Sequence, residues 1–222
     1  MRRLAASGCC APGDLDDIFS PSQAASDARA YRRSGLDGEA RRIAEAVRRV
    51  AGEGYTMLEI GGGIGAIQLA LLREGATSAT NVELSRSYEA LARELIAEAG
   101  LDGRVDRRVA DFVADASSIA PADAVILQRV VCCYPNAVGL VEAAARHARR
   151  VLVLTFPIDR WWIRLLLPLG NAWLRVRRSK FRSFVHATRT VVDAAEQQGL
   201  RLDIRRRGFL WQMLVFTREA SG

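Results

Sequence analysis

Two patterns alternate along this chain. Short apolar runs at 56–60, 79–84, 105–110, 124–128 and 151–156 are separated by segments in which apolar residues recur at helical spacing. The runs predict strands, and the segments between them predict helices over 66–74, 86–99 and 137–148. Two more helices are expected ahead of the first strand, over 24–33 and 37–52. In the second of these, Ile43, Val47 and Val50 make the apolar side, while Arg41, Arg42, Arg48 and Arg49 make the polar one. The run 151–156 is apolar without interruption, as a strand covered on both faces requires. Such alternation implies an α/β fold with a parallel, doubly wound sheet. The rhythm changes at the end: a helix over 188–198 precedes strands 201–206 and 209–217, with only Arg207 and Gly208 between them. So short a link makes these strands antiparallel neighbours, because parallel ones need a crossover.

The first strand runs straight into Gly61-Gly62-Gly63-Ile64-Gly65 and then a helix. Glycine permits the tight turn and lets a ligand approach bare backbone N–H groups at the positive end of the helix. Glu59 interrupts the apolar strand two positions earlier, and a buried carboxylate there needs a partner. Its expected role is to support the loop, or an amino group bound at it. Glu83, with Leu84 beside it, closes the second strand, where a carboxylate can accept both hydroxyls of a ribose. Asp111 and Phe112 close the third strand and suit an adenine, with a carboxylate for its amine and an aromatic edge for its ring. Taken singly, Glu83 reads equally well as solvated, Asp111 as a helix cap and Phe112 as core. Together they mark three successive strand ends that face one crevice.

The stretch Met57 to Gly65 resembles motif I of the class I S-adenosylmethionine (SAM)-dependent methyltransferases, and Glu83, Asp111, Phe112, Gln128 and Arg129 stand where that family's later cofactor motifs fall. The resemblance covers about residues 30–217. It implies a Rossmann-like seven-stranded sheet of order 3-2-1-4-5-7-6 with the last strand antiparallel. It also implies SAM as cofactor, with the methionine part at Gly61, Gly62, Gly63 and Gly65, the ribose at Glu83 and the adenine at Asp111 and Phe112. Family members often fold an N-terminal helix over the cofactor, which makes Tyr31 a lid candidate. A competing reading is an NAD(P)-dependent oxidoreductase, since Gly61 to Ala66 formally satisfies G-x-G-x-x-A. Glu59 within the strand, the long N-terminal extension, the terminal hairpin and the lack of a Tyr-x-x-x-Lys arrangement weigh against it. A non-catalytic interaction module on the same fold is the second alternative.

With 222 residues, half of them hydrophobic, the chain suits a single domain with a full core. Residues 1–22 carry little pattern and are expected to be mobile, leaving 23–222 as the domain. Four cysteines form two vicinal pairs, Cys9–Cys10 and Cys132–Cys133, and only two histidines are present, so no metal site is expected. Reduced thiols and a cytoplasmic protein are the expectation. No apolar run approaches the ~20 residues of a spanning helix. The net charge of +7 is concentrated: residues 159–186 carry +6, leaving +1 for the other 194 residues. A basic surface spread over the fold is therefore absent, which argues against nucleic acid as partner.

That basic segment, within 158–186, is a helical insertion after the fifth strand. Trp161, Leu165, Leu169 and Trp173 recur every four residues, Arg175, Arg178 and Arg182 fall on another face, and Pro168 with Gly170 is expected to split the segment into two helices. Three roles are open: a cap in which Trp161, Trp162 and His186 contact a small-molecule substrate, a homodimer surface, or a membrane-surface contact. The stretch from 151 through 184–186 to Trp211 is similar in layout to the magnesium-protoporphyrin O-methyltransferases. That likeness suggests a flat or aromatic acceptor methylated on a carboxylate or phenol oxygen. His186 and Tyr134 are the candidates for a general base, although methyl transfer requires one only when the acceptor carries a proton. Cys132 and Cys133 read as small hydrophobic side chains rather than nucleophiles.

Overall fold

A computed structural model describes residues 15, 18–177, 179 and 181–219. Cys9, Cys10, Arg178, Lys180 and most of the leading segment lie outside the described residues. Two helices, α1 (Pro21–Ser34) and α2 (Gly38–Ala51), precede a seven-stranded sheet. The strands are β1 (Thr56–Ile60), β2 (Ser78–Glu83), β3 (Val105–Val109), β4 (Ala122–Gln128), β5 (Ala148–Pro157), β6 (Arg201–Arg207) and β7 (Trp211–Thr217). Their order is β3-β2-β1-β4-β5-β7-β6, with β7 antiparallel to both neighbours, as the resemblance implies. The remaining helices are α3 (Ala66–Arg73), α4 (Glu89–Glu98), a short α5 (Phe112–Asp115), α6 (Ala137–His147), α7 (Trp161–Val176) and α8 (Thr188–Glu196).

The pleat explains the two cores. Met57, Ile126, Val151, Val153 and Val215 face α2, α3 and α4, whereas Leu58, Val125, Leu127, Leu152, Leu154 and Phe216 face α6 and α8. Successive strand residues point to opposite faces, so a strand with both faces covered must be apolar throughout. Edge strands β3 and β6 lack that double cover and carry charged residues instead. Because β1 pairs with β2 on one side and β4 on the other, the chain order reverses between β1 and β4. A crevice opens beyond the carboxyl ends of the strands at such a switch point.

Three local differences from the sequence pattern have physical causes. Helix α1 starts at Pro21, ahead of the expected 24, because the Ser20 side chain caps it and proline suits the first helical turn. The strand expected from 209 begins at Trp211, because Gly208 bonds back to Trp211 and closes the turn. The expected break at Pro168 is corrected: α7 runs as one helix through it. Pro168 and Arg164, the residue whose carbonyl loses its helical donor, both lie on exposed positions where water can replace the bond.

Candidate active site

A cleft of about 530 Å³ lies over the ends of β1, β2, β3 and β4. Its floor is the glycine loop, in which Gly61, Gly62 and Gly63 line the cleft and Gly65 does not. Gly61, Gly63 and Gly65 have φ of +65°, +55° and +79°, a conformation that side chains with a Cβ rarely adopt. Space is restricted as well: a Cβ on Gly61 would sit 2.5 Å from Val130 Cγ2, and one on Gly62 would strike the Asn81 amide and the Glu59 side chain. No side chain caps α3, and Ala66 at its start lines the cleft.

Glu83 holds the loop from the side. Its Oε2 accepts from the Gly63 N–H at 2.8 Å, and its Oε1 accepts from the Ser85 N–H at 2.9 Å. Each carboxylate oxygen has two acceptor positions, so both keep capacity for a ligand hydroxyl. Asp111 caps α5 through the Val113 N–H at 2.9 Å, and the Tyr134 hydroxyl stands 3.4 Å from both of its oxygens. Phe112 is buried edge-on against His147, 5.2 Å between ring centres. Glu83, Leu84, Asp111, Phe112, Gln128, Arg129 and Tyr134 all line the cleft.

Glu59 does not. It is 2% exposed and sits beneath Gly62, where it accepts from the Asn81 amide at 3.4 Å and from the Gln68 backbone N–H. Burial pushes its carboxyl up to about 8, against the opposing pull of the Arg107 charge. At neutral pH it is therefore mostly a neutral acid, and its role is to support the loop from below. Arg107 completes that support: its side chain is almost wholly buried, pairs with Glu89 at 3.0 Å and donates to the Gly63 carbonyl at 3.1 Å.

Helix α1 lines the cleft through Gln23, Asp27 and Ala30 as well as Tyr31. Tyr31 is half-buried at the wall, its hydroxyl raised by burial and 3.5 Å from Arg73 Nη1. The Tyr88 hydroxyl donates to Asp27 at 3.1 Å, and Ser85 Oγ donates to the Phe19 carbonyl at 3.2 Å. These bonds tie α1 and the residues before it to the end of β2. Nothing in the sequence pattern singles out Phe19, Asp27 or Tyr88. For Arg107, an arginine on the inward side of an edge strand is the one available signal.

Arg129 has φ +58°, the one positive value outside glycine among the described residues. Strain of this kind clusters at functional sites. Its guanidinium makes two bonds to the Glu39 carboxylate, at 3.1 and 3.2 Å, and lies 4.9 Å from the Trp211 ring centre. Glu39 also accepts from the Thr155 hydroxyl at 2.9 Å. On the far side of this pair is a second hollow of about 560 Å³, lined by Arg42, Thr155, Arg206, Phe209 and Trp211 among others.

Trp161, Trp162 and His186 do not line the cleft. Trp161 is 74% exposed. Trp162 packs against Phe209 of the second hollow's lining, 5.2 Å between ring centres. His186 Nε2 lies 3.1 Å from the Tyr134 carbonyl, and burial lowers its pKa. The insertion instead reaches the cleft wall through Phe181, which meets Phe19 edge-on at 5.9 Å and packs with Leu15. Cys132 is buried and Cys133 lines the cleft, their sulfurs 3.8 Å apart; the bond with Cys133 lowers the Cys132 pKa. Among the described residues no cluster of side chains could hold a metal ion.

No model of a protein family matches the sequence, and no curated protein does. Solved structures do match in shape. The magnesium protoporphyrin IX methyltransferase of Synechocystis PCC 6803, solved with bound SAH, superposes with a TM-score of 0.67 at 18% identity, over 94% of this chain and 99% of that one. A sarcosine dimethylglycine methyltransferase of Galdieria sulphuraria, so described provisionally, gives 0.62 at 14% identity, over 81% and 83%. A 4+2 cyclase gives 0.58 at 16% identity, over 80% of each chain. At these identities the likeness concerns architecture, and a shared architecture does not name a reaction. The sheet order, its reversed last strand and the glycine loop at its switch point give this chain the fold of the class I SAM-dependent methyltransferases.

Proposed function

We propose that this chain is a SAM-dependent methyltransferase acting on a small, flat acceptor that carries an acidic group. The observation that carries the reading is the convergence of the left-handed glycine loop, Glu83 and Asp111 on one cleft. Its volume of about 530 Å³ falls in the range of ligand pockets, roughly 300–1,000 Å³. The donor set also fits SAM: loop N–H groups for a carboxylate, Glu83 for two ribose hydroxyls, and Asp111 with Phe112 for adenine. The methyltransferases of similar shape support the same cofactor, whereas none of them supports the nicotinamide reading.

When bound, SAM supplies an activated methyl group together with its own leaving group. The chain must then orient the acceptor behind that methyl and exclude water. Arg129, held by Glu39, Thr155 and Trp211, lines the cleft, and its three partners line the second hollow. The acceptor approaches from that hollow, where Arg42 and Arg206 attract an acidic group and Phe209 and Trp211 offer flat apolar contact. An acceptor that is already ionised needs no base. Tyr134, beside Asp111, acts at the adenine end, and His186 acts as a positioning residue that holds the Tyr134 carbonyl.

The test is calorimetry with SAM, its demethylated product and NAD(P), followed by transfer of labelled methyl to a panel of aromatic acids and their neutral analogues. SAM and its product should compete for one micromolar site. Arg42→Ala with Arg206→Ala should raise KM for acids and leave SAM affinity unchanged. Binding of NAD(P) without SAM overturns the methyltransferase reading, and binding of neither promotes the interaction module.

A further inference from the structure

Helix α7 is apolar on two opposite sides, and only one of them is covered. Ile163, Leu167, Asn171 and Leu174, the least exposed set along its length, recur every three to four residues and face inward. Asn171 is fixed by bonds to the Ser183 carbonyl and N–H at 2.8 and 3.0 Å, and Leu174 packs with Phe181 behind the cleft wall. At about 100° per residue the inward set lies nearly opposite a second stripe. That stripe is Trp161, Leu165, Leu166, Leu169, Trp173 and Val176, and each is more than half exposed. The tip of the β6–β7 turn extends it: Phe209 is 80% exposed and rests on Trp162.

Scattered exposed apolar residues are ordinary, but a continuous stripe of large ones on a monomer marks a surface that meets something. Charge selects the occupant. Residues 159–186 carry +6: Arg160, Arg175 and Arg177 are exposed at the two ends of the helix, while Arg164 pairs with Asp159 at 2.6 Å. A second copy docked on the same stripe would set these arginines against their counterparts. An anionic surface that also accepts Trp and Leu side chains satisfies both halves of the pattern, and a bilayer interface is such a surface. Helix α7 has 16 residues, and among the described residues no helix is long and apolar enough to cross a membrane. The geometry therefore suits lying on a bilayer rather than spanning it.

We propose that the outward stripe of α7, with the Phe209 tip, docks this protein on the surface of an anionic lipid bilayer. Trp161, Leu165, Leu169 and Trp173 enter the interface and the flanking arginines meet the headgroups. Phe209 also lines the second hollow, so docking would place that hollow beside the lipid. Bilayer docking of this kind does not depend on the methyltransferase reading.

The experiment is cosedimentation of the whole chain with vesicles of phosphatidylcholine mixed with phosphatidylserine and with vesicles of phosphatidylcholine alone. Sedimentation velocity without vesicles gives the oligomeric state. Binding should favour the mixed vesicles and weaken strongly between about 0.1 M and about 1 M NaCl, because the headgroup attraction is screened. The double variant Leu165→Glu, Leu169→Glu should lower the partition coefficient about tenfold or more while its thermal midpoint stays that of the parent. The milder pair Leu165→Ser, Leu169→Ser serves if the first is unstable. No binding to the mixed vesicles overturns the proposal. So does binding that these variants leave unchanged, or a dimer that they dissociate.

Discussion

The glycine loop and helix α7 are both unusual, and in opposite ways. Around the loop, charged and amide groups that ordinarily face water are buried and largely bonded to one another, with Gln68 Nε2, Asn81 Oδ1 and Arg107 Nη1 left over. Glu59, Asn81 and Gln68 form one set beneath it, and Glu83 and Arg107, the latter paired with Glu89, bond the Gly63 backbone. Along α7, tryptophans and leucines that ordinarily seek burial face outward. A buried polar group costs free energy unless it is bonded, so the first region tolerates few substitutions. An exposed apolar side chain contributes little to folding, so the second region tolerates many. In both regions the side chains stand where a stable fold alone would not place them.

Substitutions can break this contrast. The largest effect is expected for Gly62→Val, whose side chain must displace Asn81 and Glu59 in the buried layer. It should cost about 3 kcal/mol of stability by denaturant unfolding and abolish SAM binding in calorimetry. Glu83→Ala should weaken SAM binding by about 1.5–3 kcal/mol, the scale of hydrogen bonds to charged groups, and leave the chain folded. Unchanged affinity would return Glu83 to the loop-bracing role that its bond to Gly63 already shows.

Glu59 predicts a pH dependence. Its carboxyl titrates near 8 in the folded chain but near the ordinary 4.5 when unfolded. Between those values the native state holds a proton that the unfolded state releases. Stability from this group is therefore full below about 4.5 and is lost as pH rises through about 8. Glu59→Gln, neutral at every pH, should flatten that decline and gain about 1–3 kcal/mol at the alkaline end, read from unfolding curves across pH. A parallel decline in parent and variant would show that another group is responsible. The smallest effect belongs to α7. A Cβ added at Gly170 would meet nothing within 4 Å, so Gly170→Ala should stabilise the helix by about 0.5–1 kcal/mol. A loss instead would mean that the helix is more tightly packed than its exposure indicates.

Much of the site is legible directly from residue order. Glu59 stands out because a carboxylate in a buried strand needs a partner, and its partner is its neighbour in register, Asn81 on β2. Glu83 and Asp111 are legible because the end of a strand in an α/β sheet is a fixed place, whatever the neighbouring side chains do. The helical period of 161, 165, 169 and 173 is equally plain, but period alone does not tell an inward stripe from an outward one. Trp161 and Trp162 are expected over the cleft, and the fold turns them toward solvent and Phe209 instead.

Residue order by itself determined the alternation of strands and helices, the terminal hairpin, the turn that only glycine can make and the strand ends that line the cleft. These are local consequences of side-chain period and backbone sterics, and they hold wherever the segment lies. Only the tertiary structure decided which distant groups meet. Arg107 passes beneath Gly63, Asp27 crosses to Tyr88, Glu39 closes on Arg129 and Thr155, and α7 is left with one bare side. The physical reason is separation along the chain: Glu39 and Thr155 are 116 residues apart, and no local preference encodes their contact. It forms because α2 packs on one face of the sheet and carries Glu39 to the ends of β4 and β5.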